Sequence, residues 1–204
     1  MSGRRAGWLG IVFVVLLLLQ AGMADIPTLD TPIDRIQHFY AQHGGIIVTA
    51  QIIGVIAAIV FLMFAWALAP GVNPGSEPAA SRLRVAAALV ALASVVTAIP
   101  PLWLALSSAP SDSTAHALTR AADLTDAVLF GVVGLFALEL LRDTAIGWLK
   151  ILSLVVAGLS LVRAVIGPFG ISFLDSAAPL AFVVLILAAS IECFRGRFGV
   201  AAAA

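Results

Sequence analysis

The sequence predicts an all-α fold, a polytopic membrane bundle of six transmembrane helices that forms one domain over residues 1–204. Hydrophobic residues make up 62% of the chain and charged residues 11%, whereas a soluble domain has about 45–50% and about 25%. The apolar residues fall in six blocks, each close to or above the ~20 residues that cross the hydrocarbon core as a helix. No block alternates with period two, which argues against a transmembrane barrel. The blocks are 7–24, 45–69, 84–107, 122–141, 147–166 and 177–194.

Block 1 allows two interpretations. Arg4 and Arg5 precede a compact apolar core, and the small residues Gly22 and Ala24 stand at positions suited to cleavage. This is also the pattern of a secretory signal peptide. We favour an uncleaved helix, because the apolar run reaches Ala24 and five further spans follow. Cleavage after residue 24 leaves five helices and does not change the side on which any loop lies.

The stretch between blocks 1 and 2 predicts a short, separate helix over residues 32–42. Thr31 suits the N-cap, and Pro32 suits the first helical position. Gly44 and Gly45 follow, and glycine is the residue that most often ends a helix at its C-terminal side. We therefore expect this helix to stop before the apolar span that follows it.

The predicted helix is amphipathic. Ile33, Ile36 and Tyr40 lie on one stripe at helical spacing, and His38 lies on the other face. This pattern is typical of an interfacial helix, which we place on the outer membrane face with its apolar side inward. The alternative is a ligand or metal site formed by His38 and His43. We favour the interfacial helix, because a five-residue separation puts the two imidazoles on different helix faces.

One stretch of the sequence carries a family resemblance. Residues 26–68, "IPTLDTPIDRIQHFYAQHGGIIVTAQIIGVIAAIVFLMFAWAL", resemble the start of uncharacterised multi-pass membrane proteins of actinobacteria. Those proteins join a Pro/Asp-rich outer segment, which ends in an aromatic residue and a short His-Gly turn, to a long aliphatic helix. The resemblance covers the first third of the chain. It implies a multi-pass protein of the bacterial inner (plasma) membrane, and it carries over no catalytic residue.

Lys and Arg residues indicate the orientation of the bundle, because cytoplasmic loops carry an excess of both. With a cytoplasmic N-terminus, eight of them lie on the inner side and three on the outer side. We therefore predict that both chain ends are cytoplasmic, N-in and C-in. The inner residues are Arg4, Arg5, Arg82, Arg84, Arg142, Lys150, Arg195 and Arg197, and the outer residues are Arg35, Arg120 and Arg163.

Composition and motifs exclude several classes of function. The net charge is zero, so no basic surface suggests a nucleic-acid partner. Cys193 is the single cysteine, which excludes an intrachain disulfide and a CxxC motif. His38, His43 and His116 fall in predicted outer loops, where they cannot ligate a haem inside the bundle. The chain has no H-E-x-x-H, G-x-S-x-G or nucleotide-binding glycine motif. We predict no catalytic residue, no metal site and no cofactor.

The candidate site is a set of charged residues at the outer ends of blocks 4 to 6. Asp123 and Asp126 share a face of block 4, and Arg163 lies about one turn before the end of block 5. A short turn joins these two blocks, so Asp126 and Arg163 are predicted at similar depth, and Asp175 could join them. Ionisable residues in a span are functional candidates unless they pair for structural reasons. We favour a structural ion pair over an outward-facing polar pocket in which Arg163 meets an anion or Asp126 relays a proton.

Block 3 contains a predicted kink. Pro100 and Pro101 remove two backbone donors from its outer third. The freed carbonyls at this depth must be buried in protein or line a wet cavity. One outcome is a kink whose carbonyls bond to Thr97 or to neighbouring helices. The other is an outer vestibule where the kink, residues 31–44 and the Asp126–Arg163 pair converge.

The inner ends of blocks 4 and 6 are interpreted as solvated helix ends. Glu139 and Arg142 are spaced for a same-face pair, as are Glu192 and Arg195. Cys193 is interpreted as a small packing residue.

Two functions of different classes follow. The first, which we favour, is a non-enzymatic scaffold or accessory component of the cell envelope, supported by the many small-residue packing faces. The second is a small transporter or permease-like protein that uses the pocket at Asp126 and Arg163. In both, the lipid bilayer is a partner, and other membrane proteins or a second copy of the chain are candidate partners.

Overall fold

A computed structural model describes residues 3–23, 27, 31–107, 110–169 and 174–198. These residues form six α-helices and one 3₁₀ turn, Gly167–Phe169, and no strand occurs among them. Each helix is long and apolar enough to cross a membrane, which confirms the predicted all-α membrane bundle. The helices are α1 (Gly3–Met23), α2 (Ile33–Val72), α3 (Glu77–Leu106), α4 (Asp112–Asp143), α5 (Gly147–Ile166) and α6 (Ala177–Phe194).

The six helices form a closed ring. Each helix packs against the next one along the chain, and α6 packs against α1. Residues 73–76 and 144–146 make short connections, so the helices that they join run antiparallel. One end of the ring holds these connections, the start of α1 and the end of α6. We call it the N-terminal end.

An aromatic cluster fills the middle of the ring. Phe13, Phe61, Phe136 and Phe182 come from α1, α2, α4 and α6, and each side chain is buried. The Phe61 ring centroid lies 5.1 Å from that of Phe13, 5.2 Å from that of Phe136 and 5.7 Å from that of Phe182. The tilted and edge-to-face arrangements are those that aromatic quadrupoles favour. The cluster therefore ties four helices together across the ring.

The outer surface of the ring is apolar. Exposed Leu, Ile and Val side chains occur on every helix, and in a membrane protein such a surface faces lipid. All four tryptophans are also exposed, as expected of aromatic residues at a membrane interface. They are Trp8, Trp66, Trp103 and Trp148.

The prediction that a helix ends at Gly44 and Gly45 is wrong. α2 continues through both glycines and has 40 residues, a length of about 60 Å. The physical reason is packing: a Cβ at Gly44 would lie 2.9 Å from the carbonyl oxygen of Ala105 in α3. Glycine at this position permits a close approach of two helices, and the sequence pattern does not separate that role from helix termination. The helix also begins one residue later than predicted, because Pro32 is the N-cap and Ile33 is the first helical residue. The side chain of Pro32 makes no capping hydrogen bond.

The predicted faces of this segment are confirmed at Ile36, Tyr40 and His38, whereas Ile33 is only partly buried. Ile36 and Tyr40 are buried, and His38 is exposed. Ile36 and Tyr40 pack against Leu104 of α3 and Ala115 of α4, so protein covers the apolar face. An interfacial location of residues 32–42 at the outer membrane surface stays a prediction.

Candidate functional site

The structure places Asp126, Arg163 and Asp175 in direct contact, and we call these three residues the Arg163 cluster. Arg163 Nη2 donates to Asp126 Oδ2 at 2.8 Å, and Arg163 Nε lies 3.4 Å from Asp175 Oδ1. The predicted pair is thus present, and the third predicted residue joins it. The cluster links α4, α5 and the turn before α6 at the end of the ring opposite the N-terminal end, which we call the cluster end.

The guanidinium of Arg163 is the covered member of the cluster. Its Cζ lies 3.8 Å from the centroid of the Phe130 ring, which is a cation–π contact. The Arg163 side chain is 13% exposed, whereas Asp126 and Asp175 are 41% and 45% exposed. A molecule that approaches the cluster therefore meets carboxylate oxygens before it meets the guanidinium.

A cavity of about 700 Å³ adjoins the cluster inside the ring. Its volume lies within the range of about 300–1,000 Å³ that is usual for small-molecule sites. All six helices contribute to its wall, and Pro27 and the turn Gly167–Phe169 contribute at the cluster end. Asp123, the fourth predicted residue, also lines it, one turn before Asp126. The cavity therefore contains every charged residue of the predicted site.

The aromatic cluster forms the floor of the cavity. Phe13, Phe61 and Phe182 line it at the side away from the Arg163 cluster. Along α4 the lining extends from Ala122 to Val133, and the part below the Arg163 cluster, from Asp126 to Val133, rises about 10 Å at 1.5 Å per residue. The cavity is thus a pocket with an acidic rim, an aromatic floor and room for a ligand about 10 Å long.

Gln51 is a cavity residue that the sequence reasoning missed. Its side chain lines the cavity, is 5% exposed and makes no hydrogen bond with any described residue. A buried amide normally finds a partner, because desolvating it without one is costly. The available signal was its position as the one amide side chain within the apolar run 45–69, since polar groups inside a span are functional candidates.

The two prolines of α3 lie beside the site. The α3 helix is continuous through Pro100 and Pro101, and both side chains are buried. Pro101 lines the cavity together with Thr97, whose hydroxyl donates to the carbonyl oxygen of Ser94 at 2.8 Å. The cavity thus adjoins both Pro101 and the Arg163 cluster, as the vestibule hypothesis expects. Residues 31–44 do not line it, so the expected contribution of that segment is wrong. A bend of α3 at the prolines stays a prediction.

One ion pair of the N-terminal end differs from the predicted pairing. Arg82 of α3 lies 2.9 Å from Glu139 and 3.0 Å from Asp143 of α4, so the partner of Glu139 is Arg82 and the predicted pairing with Arg142 is wrong. Spacing along one helix does not reveal a partner on another helix. These pairs link α3 to α4 away from the cavity.

Glu192 is buried, and its interpretation as a solvated helix end is wrong. Its side chain is fully covered. It lies 3.0 Å from Arg195 Nη1, so the predicted pairing with Arg195 is confirmed, and 3.4 Å from Arg197 Nε. The chain after α6 turns back, and the backbone N–H of Arg197 donates to the carbonyl oxygen of Glu192. Cys193 is buried beside it, as expected of a packing residue.

Within the described ranges, no group of three or more His, Cys, Asp or Glu side chains is arranged to hold a metal ion. The polar groups that the cavity offers are carboxylates, one covered guanidinium, amides and hydroxyls. This set can hold a ligand by charge and hydrogen bonds.

Comparisons with protein-family models, with curated proteins and with solved structures give no match for this chain. A proposal for its function therefore rests on the fold and the cavity.

Proposed function

We propose that this membrane protein binds a small molecule in the cavity at the cluster end and acts as a small transporter or permease-like protein. The observation that carries the proposal is the 700 Å³ cavity that adjoins the Arg163 cluster. Protein interiors are close-packed and leave few voids larger than a water molecule. A structural ion pair needs no such space beside it, whereas a binding site does.

The walls of the cavity support a binding role. Apolar and aromatic side chains form most of the surface, and a few polar groups converge on it, which is the usual make-up of a ligand site. Gln51 offers a buried amide without a partner among the described residues, and such a group is most readily satisfied by water or by a ligand.

The aromatic floor supports a gated pathway. Phe13, Phe61, Phe136 and Phe182 separate the cavity from the N-terminal end of the ring. A ligand that enters at the cluster end can leave at the other end only if these rings move apart. In a transporter cycle, this arrangement corresponds to a form that faces one side of the membrane.

The orientation and the location are also part of the proposal. Eight Lys and Arg residues on one side and three on the other favour a cytoplasmic N-terminal end, so the cavity faces outward. The resemblance of residues 26–68 to actinobacterial multi-pass proteins favours the bacterial plasma membrane. Mass measurement of the mature protein decides whether residues 1–24 are retained.

The second candidate function is a scaffold or accessory component of the cell envelope. It is favoured by the geometry of the Arg163 cluster, in which both carboxylates already contact the guanidinium and link three parts of the fold. In that case the cluster serves stability, and the cavity holds only water or lipid.

Cysteine accessibility tests whether the cavity is open to water. Ala58 lines the cavity, and Ala65 lies seven residues later in the same helix, fully buried in the packed core. In a Cys193→Ala background, Ala58→Cys should react with a membrane-impermeant methanethiosulfonate, and Ala65→Cys should not. The reaction should occur from the outer side of intact cells. Equal protection of both cysteines contradicts the proposal, because a closed void cannot admit a ligand.

A further inference from the structure

We infer that the ligand of this cavity is an amphiphilic cation, an ammonium group joined to an apolar body about 10 Å long. The inference rests on the proposed function and adds the chemical class of the ligand. It comes from the charge of the rim, from the cover over Arg163 and from the aromatic floor.

The rim carries an excess of negative charge. The three members of the Arg163 cluster have two carboxylates and one guanidinium in contact, a formal charge of −1. Arg163 is the only cation among the described lining residues, whereas Asp123 adds a further carboxylate to the wall. An ammonium group beside Asp126 and Asp175 neutralises the cluster. Because the adjoining walls are apolar, the attraction is stronger there than in water.

An anion finds no comparable position. The guanidinium of Arg163 already contacts Asp126 through Nη2 and Asp175 through Nε, and the Phe130 ring lies 3.8 Å from its Cζ. With 13% exposure, this side chain presents little surface to a ligand. An anion that reaches the guanidinium through its remaining N–H groups must also approach the carboxylates of Asp126 and Asp175. Two like-charge contacts then oppose one favourable contact.

The interior of the cavity suits an apolar body that has a polar group at one end. Below the rim, the wall turns apolar and ends at Phe13, Phe61 and Phe182. Burial of apolar surface there contributes about 25 cal/mol per Å². The exposed ring of Phe169 lies in the wall at the cluster end, where it can add a cation–π contact to an ammonium. Gln51 can bond one further polar atom on the body.

Three probes with the same body separate the possibilities: 4-phenylbutylamine, 4-phenylbutanol and 4-phenylbutyrate. At neutral pH they present a cation, a neutral hydroxyl and an anion on a phenylalkyl chain that fits the cavity. Binding is measured by calorimetry on the full chain in zwitterionic nanodiscs, with empty nanodiscs as the reference for partition into lipid. We expect the amine to bind about tenfold more tightly than the alcohol, and the carboxylate to bind most weakly.

Two pairs of variants assign the binding to the cavity and to its charge. Ala127 lines the cavity, whereas its neighbour Val128 is 60% exposed on the outer surface. Ala127→Phe should abolish binding of amine and alcohol alike, and Val128→Phe should leave both unchanged. Asp126→Asn should weaken the amine about tenfold and leave the alcohol unchanged. Asp175→Asn gives the same test if Asp126→Asn does not fold.

The outcomes distinguish the two levels of the proposal. If no probe binds above the empty nanodiscs, or if Ala127→Phe has no effect, the cavity is not a site for such molecules and the proposed function fails. If the alcohol or the carboxylate binds as tightly as the amine, the ligand is not a cation and the inference fails, while the proposed function stands.

Discussion

Removal of the two carboxylates of the Arg163 cluster should destabilise the bundle more than removal of the guanidinium. Loss of both carboxylates, by Asp126→Asn with Asp175→Asn, strands a guanidinium that is 13% exposed. Breaking a buried pair from one side costs about 3–5 kcal/mol, because the remaining charge stays desolvated. We expect the double variant to lie at the lower end of this range, since the cavity admits some water.

Loss of the arginine should cost less. Arg163→Met keeps an apolar contact on Phe130 and leaves carboxylates that are 41% and 45% exposed and can be hydrated. Two half-exposed ion pairs contribute about 0.5–1 kcal/mol each, and the cation–π contact contributes about 0.5–1 kcal/mol. The expected loss is therefore about 1.5–3 kcal/mol. The triple variant, which combines Asp126→Asn, Asp175→Asn and Arg163→Met, should be less destabilised than the sum of the double and single variants. The difference is a coupling energy.

The assay is reversible unfolding of the purified chain in mixed detergent micelles, followed by tryptophan fluorescence. Val128→Ala serves as the control, because Val128 is a surface residue of the same helix outside the cavity. The reasoning is refuted if the double Asp→Asn variant is no less stable than Arg163→Met. In that case the guanidinium is as well hydrated as the carboxylates, and the covered position of Arg163 does not hold in the membrane protein.

Three further predictions concern topology and α2. A reporter fused after Ala204 should be active only in the cytoplasm and one inserted at Ser111 only outside, and the reverse pattern contradicts the orientation. Gly44→Ala should lower the free energy of unfolding by about 1–3 kcal/mol, because the new Cβ meets the Ala105 carbonyl in α3. The matched variant Gly45→Ala adds a Cβ in open space and should be neutral or stabilising. Equal unfolding free energies of the two variants would contradict the close approach. His38→Ala should change the unfolding free energy by less than about 0.5 kcal/mol, because this side chain is exposed, and a larger loss in the same assay would place His38 in a contact.

Part of the candidate site could be predicted from the sequence, because local spacing controls it. Asp126 lies 18 residues before Thr144, and Arg163 lies 17 residues after Ile146, so a tight turn at 144–146 brings them to the same depth in antiparallel helices. The ion pair follows from this register together with the cost of an unpaired charge in a span. By contrast, the partner of Glu139 is Arg82 of α3. No short connection joins α3 to α4 at the N-terminal end, so local spacing does not reveal this contact.

The helical spans and their number were determined by the sequence alone, because hydropathy over about 20 residues is a local property that the bilayer selects directly. The continuity of α2 through Gly44 was decided by tertiary structure, since the glycine serves contact with a carbonyl on α3. The presence of the cavity was also decided by tertiary structure. It exists because α6 closes the ring on α1 while small side chains such as Ala58 and Ala127 line the ring above the aromatic floor. No run of residues encodes that space, because a void is defined by side chains from all six helices at once.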